Sequence, residues 1–319
     1  MPLAPRRVWR YGTILDRKPL AKLPLRREPI LGESLNGFIA RLAEANRFNR
    51  VEWVANAARI RFPRIWYPDK QVESLAAVAG LEFDALKTIA ASPPWQKGST
   101  VVSTVHGHDI STDAFLRKGR RICPQCLTEA SYHRMAWDMR FVRSCIHHLN
   151  RLVADCPACG RKLDWRTSSV RRCFCDFDLT TAPTVTVAAE VLAATRLLQS
   201  MLVDHDLELP VLLAGLDLDE VLFFLSKFGH FRGGGMEFLM DDTLDLSVEI
   251  WLTNGLAVLS QDVGDLERML NLATQRTSAF PNRKTMALLA TVHDRLVEIG
   301  PRATHLYQVV ARILGDHPS

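Results

Sequence analysis

All seven cysteines of the chain lie between Cys123 and Cys175. In order they read Cys123-Pro-Gln-Cys126, Cys145-Ile-His147-His148, Cys156-Pro-Ala-Cys159 and Cys173-Phe-Cys175. Each pair is a hook short enough for both side chains to reach one ion. Seven thiolates and one imidazole make a ligand set for two tetrahedral zinc sites. Soft thiolate donors select zinc over magnesium or calcium. The prolines inside Cys-Pro-x-Cys, and Gly160 after Cys159, suit the tight knuckle that wraps a metal. An odd cysteine count, in a sequence whose start lacks the apolar run of a secretory signal, argues against a disulfide framework. A redox Cys-x-x-Cys needs a βαβ setting that the flanking pattern lacks. Iron–sulfur ligation would use the same thiolates and stays open.

With four ligands to each ion, no coordination position is left for water. The sites are therefore expected to be structural and to supply folding energy to a segment too small to fold alone. His148, at Cys-x-x-His spacing, is taken as the eighth ligand, with His147 one residue closer as the alternative. The pairing is taken as sequential: Cys123, Cys126, Cys145 and His148 on one ion, Cys156, Cys159, Cys173 and Cys175 on the other. An interleaved pairing satisfies the same spacing. Between the hooks, Trp137 and Phe141 are expected to pack beneath the knuckles. Arg134, Arg140, Arg143, Arg151, Arg161, Lys162, Arg166, Arg171 and Arg172 are expected to form a basic exterior.

Helices must position these hooks. Leu35, Phe38, Ile39, Leu42 and Ala43 fall on one face at helical spacing, with Ser34 as N-cap, and a short helix follows near Val51 to Ala58. Ala76, Gly80 and Leu86 have the spacing of a helix-turn-helix, in which a small residue lets the helices cross and glycine takes the left-handed turn. Its second helix carries Glu82 and Asp84 against a single Lys87, which would repel phosphates where a reading helix meets bases. Protein contact is the favoured use of that motif. Pro93-Pro94-Trp95 closes this region, and a connector with one strand at Thr100 to Val105 follows. After residue 180 helices are expected at Val187–Val203, Asp219–Phe228, Ser247–Leu259, Leu266–Thr274, Lys284–Ile299 and His305–Leu314. The loop Arg232-Gly-Gly-Gly235 lacks the Lys-Ser/Thr of a phosphate-binding loop, and His205, His230, His293 and His305 are too scattered to be ligands.

The expected architecture is mostly α. It comprises a basic arm (1–28), an N-terminal helix-turn-helix domain (29–95), a connector (96–121), a central two-zinc knuckle module (122–180) and a C-terminal helical domain (181–319). The 319 residues are 47% hydrophobic and 24% charged, a balance that excludes a disordered or fibrous chain. No apolar run is long enough to cross a bilayer, and a cytoplasmic, nucleoid-associated protein is expected. The net charge of +5 is unevenly divided. Residues 1–180 hold 30 Lys and Arg against 17 Asp and Glu, whereas residues 181–319 hold 10 against 18. A basic front and an acidic back suit a polyanion on one side and a protein on the other. The arm itself interleaves Arg6, Arg7, Arg10, Arg17, Lys18, Lys22, Arg26 and Arg27 with Trp9 and Tyr11.

Three of these features together resemble the TniQ family of transposon target-selection proteins. Pro29-Ile-Leu-Gly32-Glu33-Ser34-Leu35, leading into Phe38-Ile-Ala-Arg41, looks like the family's N-terminal Pro-x-x-Gly-Glu-Ser-Leu motif. The helix-turn-helix pattern at 72–89 follows, and then the hooks in the family's order, so that the likeness spans roughly residues 29–180. Cys-Ile-His-His stands where the family favours Cys-Pro-x-His, and Asp176 where a glycine often follows the last cysteine. The resemblance implies an adaptor and not an enzyme, with neither catalytic residues nor a small-molecule substrate. Such an adaptor links a target recogniser to an AAA+ ATPase transposition regulator and so to a DDE transposase. In some Tn7-like elements the recogniser is a CRISPR Cascade effector with its guide RNA, bound by a TniQ homodimer. Longer relatives read an attachment site directly, and in mercury-resistance-type transposons TniQ works beside an ATPase and a transposase. The competing reading is a sequence-specific, zinc-containing DNA-binding protein or transcription regulator, which would use the basic arm and the basic knuckles.

Overall fold

The computed structural model describes residues 22–98, 100–202, 207–229, 247–275 and 283–315. Most of the basic arm, the Arg232-Gly-Gly-Gly235 loop, His205 and His230 lie outside the described residues.

Four helices, α1 (Leu35–Ala45), α2 (Glu52–Ala58), α3 (Asp69–Ala79) and α4 (Phe83–Lys87), enclose a core of Phe38, Ile39, Leu42, Val54, Leu75 and Leu86. Ser34 caps α1 by accepting from Gly37 N–H, satisfying one of the donors that a helix start leaves unpaired. Gly80 ends α3 at φ 71°, the left-handed conformation that an L side chain resists. Helices α3 and α4 stand on either side of Gly80, but the second has only five residues, and Glu82 and Asp84 both face solvent. The end of the arm is fixed in place. Leu23 N–H donates to Val78 C=O at 2.8 Å, Asn46 pairs with both backbone groups of Leu25, and Arg26 lies over Gly80.

The connector departs from expectation. Instead of one strand, β1 (Trp95–Lys97), β2 (Thr100–Val105) and β3 (His108–Ser111) form a three-stranded antiparallel sheet, with Trp95 opposite Val102 and Thr104 opposite Asp109. The first strand was missed because Trp-Gln-Lys is too short to show alternation. This sheet is bound to the C-terminal helices. Ser111 N–H donates to Asp219 at 2.7 Å, and Lys97 bridges Asp109 and Asp217 at 3.2 and 3.1 Å.

A short helix α5 (Pro124–Glu129) and a small hairpin, β4 (Ser144–Cys145) with β5 (Asn150–Arg151), carry the first two hooks. The C-terminal part contains α6 (Ala193–Met201), α7 (Leu218–Phe228), α8 (Ser247–Leu259), α9 (Val263–Gln275), α10 (Arg283–Ile299) and α11 (Thr304–Leu314). Five of the six expected helices are present to within three residues at either end. The first, expected from Val187, starts as a 3-10 turn at Ala189–Leu192 and becomes α-helical at Ala193. Helices α7 and α8 approach so closely that a Cβ on Gly255 would collide with Leu225 C=O. Glu249, fully buried on α8, accepts from Arg143 N–H at 3.0 Å and from Ser144 Oγ at 2.7 Å, joining this part to the hook region. Among the described residues no helix is long and apolar enough to cross a membrane.

The Gly32-Glu33-Ser34 motif joins α1 to the segment between the hooks. Ser34 N–H donates to His133 C=O, and Met135 N–H donates to Gly32 C=O, both at 2.8 Å. Ser34 Oγ lies 2.9 Å from His133 Nδ1. Glu33 is fully buried, accepts from Ile30 N–H, and takes a two-pronged pair from Arg41 at 2.8 and 2.7 Å. A buried carboxylate that loses its partner keeps its desolvation cost. Arg41→Ala is therefore expected to destabilise the protein by about 3 kcal/mol. Arg41→Lys should recover only part of this, because an ammonium cannot make the two-pronged contact. Urea unfolding followed by far-UV circular dichroism measures both.

Candidate metal centres

The structure brings the eight sequence-singled residues into two groups. Cys123, Cys126, Cys145 and His148 form one, and Cys156, Cys159, Cys173 and Cys175 the other; within each, all ligand atoms lie within 4.8 Å of one another. In the first, His148 Nδ1 stands 3.5, 3.3 and 3.6 Å from the sulfurs of Cys123, Cys126 and Cys145, and Cys126 Sγ is 3.5 Å from Cys145 Sγ. In the second, Cys156 and Cys175 are 3.6 Å apart and Cys159 and Cys173 are 3.8 Å apart. A regular tetrahedron with zinc–sulfur bonds of about 2.3 Å has edges of about 3.8 Å. The donor spacing thus fits a tetrahedral ion of that size. His147 is exposed and belongs to neither group. Nor do His293, which stacks on Tyr307 at 5.6 Å, and His305.

Local structure aims these donors. Cys123 is the residue before α5, so Pro124 stands at the first turn where no N–H is needed. Cys126 N–H then points at Cys123 Sγ from 3.5 Å, and His148 N–H at Cys145 Sγ from 3.4 Å. These amides soften the negative charge that the sulfurs share. Hydrogen bonding with Cys123 and Cys126 holds the Cys145 thiol far below its usual range, and the contacts with Cys123 and Cys145 push Cys126 far above. Were all three to ionise in so small a space, a cation between them would be needed, which a bound metal ion would supply. In the second group Gly160 and Asp176, each following a cysteine hook, both take φ 67°. Asp176 thus occupies a left-handed position that glycine fills without strain, which an aspartate tolerates better than most residues.

Sequence reasoning missed what surrounds the ligands. Glu129, at the end of α5, lies 2.8 Å from His148 Nε2, the ring nitrogen turned away from the sulfurs. A carboxylate there fixes the tautomer that leaves Nδ1 free to bind metal. The Asn150 amide lies 3.4 Å from Cys123 Sγ and also bonds Gln125. Two buried arginines do the work that regular secondary structure does elsewhere. Arg120 donates to the carbonyls of Val170 and Arg172 at 3.1 and 2.9 Å and lies over the Trp165 ring, and burial lowers its pKa to about 10. Arg121 donates to Val142 C=O at 2.9 Å. Adjacent arginines aimed at loop carbonyls leave no periodic trace in a sequence.

The basic exterior is smaller than the residue types suggested. Arg143 is buried, and Arg134 lies over the rings of Tyr132 and Trp137. Arg166 pairs with Asp164, while Arg171 and Arg172 approach Asp178. Trp137 and Phe141 are fully buried, as their placement between hooks suggested. His133 packs edge-on to Trp137 and Trp165 at 5.3 and 4.7 Å, and burial holds it neutral.

A mostly helical chain with small sheets, stapled by two Cys/His clusters that could each hold a metal ion, is the class of protein these features define. A TniQ family model matches residues 24–152, so that part of the chain is similar to a TniQ domain. That match ends after the first cluster, leaving Cys156, Cys159, Cys173 and Cys175 beyond it and covering less than the 29–180 of the sequence likeness. No curated protein matches the chain.

Two outcomes follow. Glu129→Gln is expected to weaken metal affinity at the first cluster by about 10- to 100-fold while leaving the second unchanged, as a chelator competition with a chromophoric thiol or metal indicator would measure. Asp138, beside His133, has its pKa pushed up to about 7 by burial, against the pull of Arg121. A carboxyl raised in the folded state contributes stability below its unfolded pKa and loses it as pH rises through the folded value. Asp138→Asn is thus expected to be more stable than the wild type at pH 8 by up to about 4 kcal/mol, and to lose that advantage towards pH 4. Paired denaturation curves across that range check it.

Proposed function

We propose that this protein is a non-catalytic target-selection adaptor, with two structural zinc ions held by the eight residues of the two clusters. It joins a target recogniser, a CRISPR Cascade-type effector or a DNA-bound factor, to an AAA+ transposition regulator and so to the transposase. The similarity of residues 24–152 to a TniQ domain is the observation that carries this reading. Four protein ligands fill each tetrahedral site, so the ions would hold loops together and leave no place for substrate. A helix-turn-helix domain at 29–95, a two-zinc module at 122–180 and a helical domain at 181–319 would be the three parts of the adaptor, acting as a homodimer. The short α4 with exposed Glu82 and Asp84 supports a protein contact at the position where a DNA-reading helix would need cations.

The alternative, direct reading of an attachment site, makes the opposite prediction for sequence selection. Purified zinc-loaded protein should retain duplexes from a random DNA pool at near-physiological salt without enriching a motif. Enrichment of one motif would overturn the adaptor reading in favour of a direct reader. In the same preparation, Glu82→Lys with Asp84→Lys is expected to reduce co-precipitation of the AAA+ regulator at least several-fold. Undiminished capture would remove α4 as the contact.

A further inference from the structure

The segment that leads into and out of α2 carries basic residues that neither the helix-turn-helix reading nor the knuckle reading used. Between residues 47 and 61 the chain has four arginines, Arg47, Arg50, Arg59 and Arg61, against a single acid, Glu52. Arg47, Arg50 and Arg61 are exposed and Arg59 is half-buried. Among the described residues none of the four pairs with a carboxylate, in contrast to Arg166, Arg171 and Arg172 on the knuckles. Glu52 is half-buried and faces Arg166, whose pKa is held up first by Asp164 and further by Glu52.

Within the same stretch of sequence stands Trp53, 58% exposed. Its Nε1–H donates to Asn49 Oδ1 at 3.2 Å, one turn back, which fixes the ring while leaving much of it in water. An indole of this exposure forfeits the burial that usually stabilises tryptophan. Two of the arginines also sit in unfavourable backbone positions. Arg47 and Arg59, flanking α2, have φ 57° and 55°, where glycine would be free of strain. A pinned, solvent-facing aromatic ring among unpaired guanidinium groups is the arrangement that holds unpaired nucleotides. The bases stack on the ring and the phosphates meet the cations.

We infer that the α2 face binds single-stranded DNA, with Trp53 as the stacking platform and Arg47, Arg50, Arg59 and Arg61 along the phosphate track. A nucleic-acid strand is favoured over a protein partner because four guanidinium groups without carboxylate partners flank one exposed, pinned indole along the chain. An unpaired strand is favoured over a duplex because a paired base hides the face that Trp53 would take. The inference does not depend on which recogniser or regulator the protein serves.

The test uses the full zinc-loaded chain and a fluorescein-labelled oligo-dT of twenty nucleotides, read by anisotropy across a salt series. The wild type is expected to bind the strand more tightly than a duplex of equal length. Trp53→Ala should weaken binding by about 5- to 150-fold without changing the salt slope, and Trp53→Phe should restore most of it. Each of Arg47→Ala and Arg50→Ala should lower the slope of log affinity against log salt by about 0.7. Arg268→Ala, which removes a cation from α9, should change nothing. Unchanged melting temperatures would show that these surface variants fold. No binding to the strand, tighter binding to the duplex or to oligo-rU, or full affinity in folded Trp53→Ala would each overturn the inference.

Discussion

Like charges that must share a small space govern the middle of this protein. Each group draws its donors from two hooks, nineteen residues apart in the first and fourteen in the second, and thiolates at separations of 3.5 to 3.8 Å repel one another unless a cation stands among them. The chain around them has little regular structure of its own: one short helix, a hairpin of two-residue strands and isolated turns. Burial of Trp137 and Phe141 and the carbonyl contacts of Arg120 and Arg121 add to the order that the metal groups impose. A segment of this kind has too few backbone ladders to stand alone, so the ions would act as its cross-links.

The helical parts lean on that segment at specific polar contacts. On one side, Gly32-Glu33-Ser34 meets His133 and Met135, so that one serine both caps α1 and bonds the histidine beneath the knuckles. On the other side, the buried carboxylate of Glu249 receives the backbone and hydroxyl of Arg143 and Ser144, immediately before Cys145. Burial pushes the Glu249 carboxyl up, with the hydrogen bonds from Ser144 and Arg143 opposing that rise. Loss of either metal group would therefore be felt at helices far from it in sequence. In the proposed adaptor role, such coupling would hold the surfaces that meet different partners in one fixed relation.

Charge follows a similar division of labour. Three arginines, Arg120, Arg121 and Arg143, are spent inside the molecule, and in Arg120 the guanidinium has enough donors to satisfy several loop carbonyls at once. Among the described residues, Arg47, Arg50, Arg59 and Arg61 around α2 have no carboxylate partner, and neither have Arg161 and Lys162 on the knuckles. The acidic residues of α7 are likewise partly consumed within the fold. Asp217 and Asp219 hold the sheet through Lys97 and Ser111, and Glu220 pairs with Arg302 at 2.7 Å.

The sequence by itself determined the local features whose physics acts over a few residues. Hook spacing brought out the eight donors, the 3.6-residue period located most helices from α1 to α11, and Ser34 and Gly80 marked a helix start and a helix end. Wherever a feature depends on residues distant along the chain, only the tertiary structure decided it. Of the strands at 95–111 only β2 was legible, whereas β1 and β3, three and four residues long, are stable because they pair with β2 and because β3 rests on α7. Glu129 becomes a partner of His148, and Glu33 of Arg41, only once helices place them a hydrogen bond apart. The arginines divided in the same way, since whether a guanidinium faces water or a buried carbonyl depends on what the fold brings beside it.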